Sequence, residues 1–213
     1  SPTPKLVTLR SEDTGDGAGE NTVIDTFLDA WAQDENLSDA MKMAARQGGV
    51  RVPLMYFDLS SIPNYSSIKR ATLHLYTTFR SNPAPVRLNV LRLKRQWSPE
   101  DVTWLQATEL DTWAQAGARD SDLDRAAEVY ASRLLQDADG WSQWDLTYLV
   151  QEWSMLPESN HGLALLANGP VSVEYDLASS NWPLVFRPFL EVEYIPVRPS
   201  PTLPPTNTPT KTP

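Results

Sequence analysis

The 213-residue sequence contains no cysteine, which removes disulfides, thiol nucleophiles and thiolate metal sites together. Histidine is nearly absent: the chain has two, His74 and His161. Neither has a serine or carboxylate at a recognised catalytic spacing, so hydrolysis by a triad is not expected. Positive charge is scarce, with 18 Lys and Arg against 27 Asp and Glu and a formal net charge of -9. A nucleic-acid site needs a clustered positive field to displace phosphate counterions, so nucleic acid is excluded as a partner. No apolar run approaches the roughly 18 residues of a membrane-crossing helix, the candidates being short segments such as Leu163 to Ala167, and membrane insertion is not expected. The sequence opens at Ser1 without a basic and apolar leader, as a processed chain or an excised fragment would.

What is present is enough to build one core. Hydrophobic residues make up 41% and aromatic residues 9% of the chain, and this length suits one all-β domain with tails. The expected division is a Pro-rich end at 1–4, a β domain at 5–197 and a Pro/Thr-rich tail at 198–213. The last fifteen residues hold six of the chain's 18 prolines and five threonines. Proline fixes φ and removes backbone donors, so this stretch reads as an extended, solvated connector. Thr202, Thr206, Thr208, Thr210 and Thr212 are candidates for attached sugar on composition. Asn36-Leu37-Ser38 and Asn64-Tyr65-Ser66 match the N-glycosylation triplet, making Asn36 and Asn64 further candidates.

Between the tails the dominant period is two. Ala71, Leu73 and Leu75 alternate with Thr72, His74 and Tyr76, as in a strand with one buried face. Val86, Leu88 and Val90 alternate likewise, after which the apolar parity moves to Leu91 and Leu93, suggesting a β-bulge near Val90 and Leu91. Further strands are expected at Lys5 to Leu9, Val23 to Leu28, Met41 to Ala45, Arg51 to Leu59, Gly162 to Ala167, Val171 to Asp176 and Pro188 to Ile195. Many short strands divided by turn residues indicate a sandwich or barrel. Two helical excursions are expected: Ser121 to Leu135, with Leu123, Ala127, Tyr130 and Leu134 on one stripe, and a second led by Leu146, Leu149, Val150 and Trp153 behind Asp145 as N-cap.

Four blocks occur in order: VPLMYFDLSSIPNYSSIKRATLHLY from Val52 to Tyr76 with WSPEDVTW from Trp97 to Trp104; Trp144 to Thr147 with Leu149 to Trp153; Asn160 to Leu165; and Arg187 to Tyr194. Together they resemble the DNRLRE domain family of surface proteins, related to carbohydrate-binding modules of jelly-roll type. The resemblance spans roughly residues 20 to 195. It implies an all-β jelly-roll sandwich at the surface of, or outside, a bacterial or archaeal cell. The early loop DENLSDAMKMAARQGG departs from the family's usual turn.

Chemistry-bearing residues are few. Glu191 and Glu193 share one strand face as a paired acid and base could, but with Leu190, Val192 and Tyr194 on the other parity a solvated outer surface is the plainer explanation. Asp13, Asp16 and Glu20 lie in a glycine-broken loop as weak calcium candidates, without EF-hand spacing. Of eight tryptophans, Trp97, Trp104, Trp113, Trp144 and Trp153 read as core, while Trp31 and Trp182, among polar neighbours, are candidates for stacking on sugar. No cofactor is called for. The expected function is a non-catalytic structural or adhesive module outside the cell, self-associating into a fibre with glycosylated connectors. The alternative is a carbohydrate-binding module that targets an appended enzyme to a polysaccharide.

Overall fold

The computed structural model describes residues 3–12 and 22–197. The described residues form eleven strands: β1 (Lys5–Leu9), β2 (Val23–Asp29), β3 (Lys42–Arg46), β4 (Arg51–Phe57), β5 (Ser67–Arg80), β6 (Val86–Arg92), β7 (Ala131–Leu135), β8 (Gly140–Asp145), β9 (Leu163–Asn168), β10 (Glu174–Ala178) and β11 (Phe189–Ile195). Helix α1 covers Thr147–Met155. All ladders are antiparallel, and hydrogen bonding runs through the order β1-β11-β5-β10-β3-β4-β9-β6-β7, with β2 added to β4 and β8 to β5.

This sheet curls so that its two halves face each other, an all-β sandwich as the strand pattern requires. The inward set from one half includes Met43, Leu73, Leu75, Leu177 and Leu190, and from the other Met55, Phe57, Leu88, Leu163 and Leu165. Trp144 and Trp153 complete this main core. The corner between the halves is the β3–β4 hairpin, where Gly48 and Gly49 take positive φ.

A second core lies on the outside of the β4 half. Residues 93–126, mostly without regular strands, fold over Leu28, Val52, Leu54 and Ala164 and contribute Trp97, Trp104 and Trp113. This explains the parity change in β6. No bulge occurs there; Val90, Leu91 and Arg92 pair Leu165, Ala164 and Leu163 without a register shift. Leu93 is apolar because the outer face, solvated in a simple sandwich, is covered at that point.

The expected helix at Ser121 to Leu135 does not form. Leu123 and Leu134 of its apolar stripe are exposed. The buried Asp124 carboxylate instead accepts the N–H groups of Ala114, Gln115 and Asp120, and Asp120 Oδ1 accepts those of Asp122 and Leu123. These side chains take backbone donors in a turn that a helix would otherwise use. Residues 131–135 then pair with β6 as β7. Helix α1 forms where expected. Asp145 Oδ1 accepts from Thr147 N at 2.9 Å and stands one residue before the formal N-cap, Leu146. The tail at 198–213, with Thr202, Thr206, Thr208, Thr210 and Thr212, and the loop holding Asp13, Asp16 and Glu20 lie outside the described residues.

Candidate functional site: a three-part groove

Three cavities of about 470, 350 and 260 Å³ border one another along the molecule. The first and second share Ile24 and Pro99 as lining residues; the second and third share Tyr56, Pro157 and Asn160. The shared lining residues make the three cavities neighbours, parts of one groove. Ile24 and Tyr56 are direct partners in the β2–β4 ladder, on the strand face opposite the main core, and they floor the middle of it.

One wall is the turn after Trp97. Pro99 is held by Asn36, whose Nδ2 donates to the carbonyls of Pro99 and Val102 at 2.8 and 2.9 Å. The opposite wall is the 3₁₀ turn Pro157–Ser159 and the following Asn160-His161. Trp97 Nε1 donates to the His161 carbonyl at 3.0 Å and so ties one wall to the other. Asn160 Nδ2 donates to the Phe57 carbonyl at 3.0 Å, anchoring the second wall to β4. Gly162 has φ +84°, and a Cβ there would stand 2.2 Å from the Met55 carbonyl oxygen, so only glycine lets the chain approach β4 this closely.

The first cavity is polar. Glu12, Asp25, Asp39 and Glu100 line it together with Asn36, Ser38, Asn181 and Arg187. Asp25 is 3% exposed. Its Oδ2 accepts the Ser180 N–H at 2.8 Å, and its Oδ1 accepts no hydrogen bond among the described residues. Burial pushes the Asp25 carboxyl up to about 7, against the lowering effects of the Ser180 hydrogen bonds and the Arg187 charge. Arg187 donates from Nε to the Trp182 carbonyl and from Nη1 to the Ser11 carbonyl. The middle cavity presents Tyr56, Trp97 and His161 with Gln96 and Glu158. Burial, then the Asp58 charge, raises the Tyr56 hydroxyl, and burial with the Arg92 charge lowers the His161 imidazole; both favour neutral side chains. The third cavity sets Ile62, Val150 and Trp153 beside Asp58 and Asn64.

Neither Trp31 nor Trp182, the tryptophans expected to stack on sugar, lines the three cavities. Trp31 is 63% exposed, with the guanidinium carbons of Arg46 and Arg51 at 4.9 and 5.0 Å from its ring centre. Those arginines pair with Glu174, and Arg51 also with Asp29 at 2.8 Å. Trp182 is half-buried and its backbone N–H donates to Ser179 O. Asn64 is exposed and borders the groove. Asn36 spends its amide nitrogen on two backbone carbonyls, bonds that a glycan on that atom would have to displace.

His74 stacks on Phe189 at 4.2 Å on the outer face of β5, with Nε2 at 3.0 Å from Glu191 and Nδ1 at 3.3 Å from Gln143. Glu193 pairs with Arg70 at 4.0 Å. Among the described residues neither imidazole meets a hydroxyl, and no group of three or more His, Asp or Glu is placed to hold a metal ion. Among them, too, no helix is long and apolar enough to cross a membrane. The arrangement places aromatic side chains, amides and carboxylates together along the groove.

The groove was not visible as such in the sequence. Its walls come from positions 24, 56, 97 and 160, and no local pattern joins them. Asp25, an acid inside the strand-like run VIDTFLD on the same parity as Val23 and Phe27, was the available signal.

The model of the disaggregatase related repeat domain matches residues 31–183, well over half the chain. This overturns the resemblance to the DNRLRE family: the matching family is a different one. The four blocks behind that resemblance fall on strands and turns of the sandwich, on helix α1 and on the turn after Trp97 that builds the second core. No curated protein matches the chain.

Proposed function

We propose that the chain, which belongs to the disaggregatase related repeat domain family, is a non-catalytic extracellular or cell-surface module that holds a linear polysaccharide along the three-part groove. The observation that supports this most is the continuity of the cavities through Ile24 and Pro99 on one side and Tyr56, Pro157 and Asn160 on the other. Ligand sites combine apolar and aromatic walls with a few placed polar groups, and Tyr56, Trp97, Gln96 and Asn160 supply that mixture here. Three adjoining cavities suit a ligand of several linked units better than a compact one. A repeat domain also suits adhesion, because several weak sites on one tether gain avidity. The test is a glycan array probed with the whole chain and with Tyr56→Ala: binding to one polysaccharide class, lost in the variant, is expected, and a blank array refutes the reading.

A second reading, self-association into a polymer, draws on the outer face of β5 and β8. Tyr76 lies 4.5 Å from Phe186 and 5.4 Å from Trp141, and Trp141, Leu184 and Val185 are exposed beside them. Exposed apolar clusters of this kind mark contact surfaces, and a non-closing contact between copies would build a fibre. Sedimentation velocity across a hundredfold concentration range separates the cases: growing oligomers abolished by Val185→Glu are expected, and a strict monomer refutes it.

A further inference from the structure

We propose that a fourth cavity, between β7 and the first turn of α1, is a second saccharide site, which takes a neutral pyranose unit against the rings of Tyr148 and Tyr130. This rests on the carbohydrate reading above, but at a place with its own walls. The cavity holds about 560 Å³. Helix α1 divides it from the third part of the groove: Val150, Trp153 and Ser154 line that part, whereas Thr147, Tyr148 and Gln151 line the fourth cavity, with Ile68 touching both.

The aromatic wall comes from two elements. Tyr130 stands just before β7, and Tyr148 is the second residue of α1. Their ring centres are 5.9 Å apart and the planes 25° from parallel, so the two rings form one surface. That surface is fixed: Tyr130 Oη donates to Glu152 Oε2 at 2.9 Å, and Glu152, one turn along the helix from Tyr148, also faces Arg92 at 3.9 Å. Burial, then the Glu152 hydrogen bond, raises the Tyr130 hydroxyl, and the Glu152 charge raises that of Tyr148, which keeps both rings neutral. Tyr148 is nonetheless 64% exposed. A lone exposed aromatic is ordinary. A pair of rings held in place at a cavity wall beside polar groups has the composition of a ligand site.

The polar partners are Asp145 and Gln151. Asp145 Oδ1 accepts from Thr147 Oγ1 and N at 2.6 and 2.9 Å, bonds that hold its carboxyl below the usual value and leave Oδ2 to accept a ligand hydroxyl. Gln151 Oε1 accepts from Ile68 N at 2.9 Å and its Nε2 donates to the Ser66 carbonyl at 3.1 Å, so the side chain is fixed while each end keeps one bond to offer.

These features choose the ligand class. A pyranose has apolar C–H faces and a rim of hydroxyls, so it needs a ring to lie on and fixed polar groups beside it. Uronates and sulfated sugars are disfavoured by the Asp145 and Glu152 carboxylates. A quaternary ammonium is held best by rings that enclose it, each centre within about 6 Å of the charge; rings 5.9 Å apart and nearly parallel leave no room for one between them.

The test titrates the whole chain with cellohexaose, mannohexaose, xylohexaose and maltohexaose, and separately with hexagalacturonate and choline chloride, followed by ¹H–¹⁵N NMR. The Ser132 and Gln151 amides report the fourth cavity, and the Asn160 and His161 amides the groove. At least one neutral hexaose should give saturable shifts at Ser132 and Gln151, weakened at least tenfold in Tyr148→Ser and at least threefold in Asp145→Asn, and within twofold of wild type in Tyr56→Ala. Silence at Ser132 and Gln151 with every neutral hexaose, affinity there unchanged in both Tyr148→Ser and Asp145→Asn, or tighter binding there of hexagalacturonate or choline would overturn the proposal. Shifts confined to Asn160 and His161 would overturn it while leaving the groove reading standing; shifts confined to Ser132 and Gln151 would do the reverse.

Discussion

The indole N–H of Trp97 donates to the backbone carbonyl of His161 at 3.0 Å, across 64 residues of sequence. Trp97 belongs to the second core, and His161 opens the loop into β9, so one bond couples the excursion at 93–126 to the sandwich. Trp97→Phe keeps an aromatic ring and deletes that donor. It should cost about 1–2 kcal/mol in urea unfolding, the usual loss for a hydrogen bond whose acceptor is left partly buried, and should weaken polysaccharide binding several-fold. Unchanged affinity would show that the bond does not shape the groove.

Gly162→Ala should be the more damaging change despite adding one methyl group. The residue sits at φ +84°, and its new Cβ would meet the Met55 backbone at 2.2 Å. Left-handed strain alone costs about 1–2 kcal/mol, and the overlap is with backbone, which cannot rotate away. A loss above about 2 kcal/mol in denaturant midpoint analysis is expected.

Asp25 should give the fold a pH dependence of unusual sign for a carboxyl. Its folded value of about 7 lies above the ordinary 3.8. Between these pH values the native state keeps a proton that the unfolded state has lost, so this group's contribution falls as pH rises from about 4 to 7. The full difference corresponds to roughly 4 kcal/mol. Asp25→Asn keeps an oxygen for the Ser180 N–H and removes the titration. Its stability should be flatter from pH 4 to 8 and higher than wild type at pH 8, measured by urea unfolding at each pH. A variant less stable than wild type at pH 8 would contradict this.

Trp31→Ala separates the exposed ring from the groove. The ring's packing with Arg46 and Arg51 contributes on the order of 0.5–1 kcal/mol each at such exposure. A small drop in melting temperature with polysaccharide affinity unchanged is expected from calorimetric scanning and titration. A large loss of affinity would move the binding surface to the Trp31 platform.

How far these features could be read from sequence depends on whether their cause is local. β1 was bounded to the residue, and β11 within one, because Leu190, Val192 and Tyr194 alternate with solvated residues along one strand. At 121–135 the helical stripe misled, since the decisive fact was Asp124 binding three distant or neighbouring N–H groups. In β6 the change of parity was real, but its cause was a cover built from Trp97, Trp104 and Trp113 further along the chain. The groove failed for the same reason: Ile24 and Tyr56 are neighbours only through the β2–β4 ladder, and Trp97 and His161 only through a tertiary hydrogen bond. Trp97, Trp104, Trp113, Trp144 and Trp153 are buried as their sequence settings suggested, whereas polar neighbours drew attention to Trp31, which is exposed and packs against Arg46 and Arg51.

The most direct measurement of the central claim is calorimetric titration of the whole chain with a length series of the oligosaccharide selected on the array, repeated with Tyr56→Ala and Asn160→Ala. Both residues line the middle and third cavities. Affinity should rise with oligomer length until the groove is filled and then level off, and either variant should reduce the long oligomers' affinity at least tenfold while sparing the shortest. Affinity independent of length, or unchanged in both variants, would contradict the account.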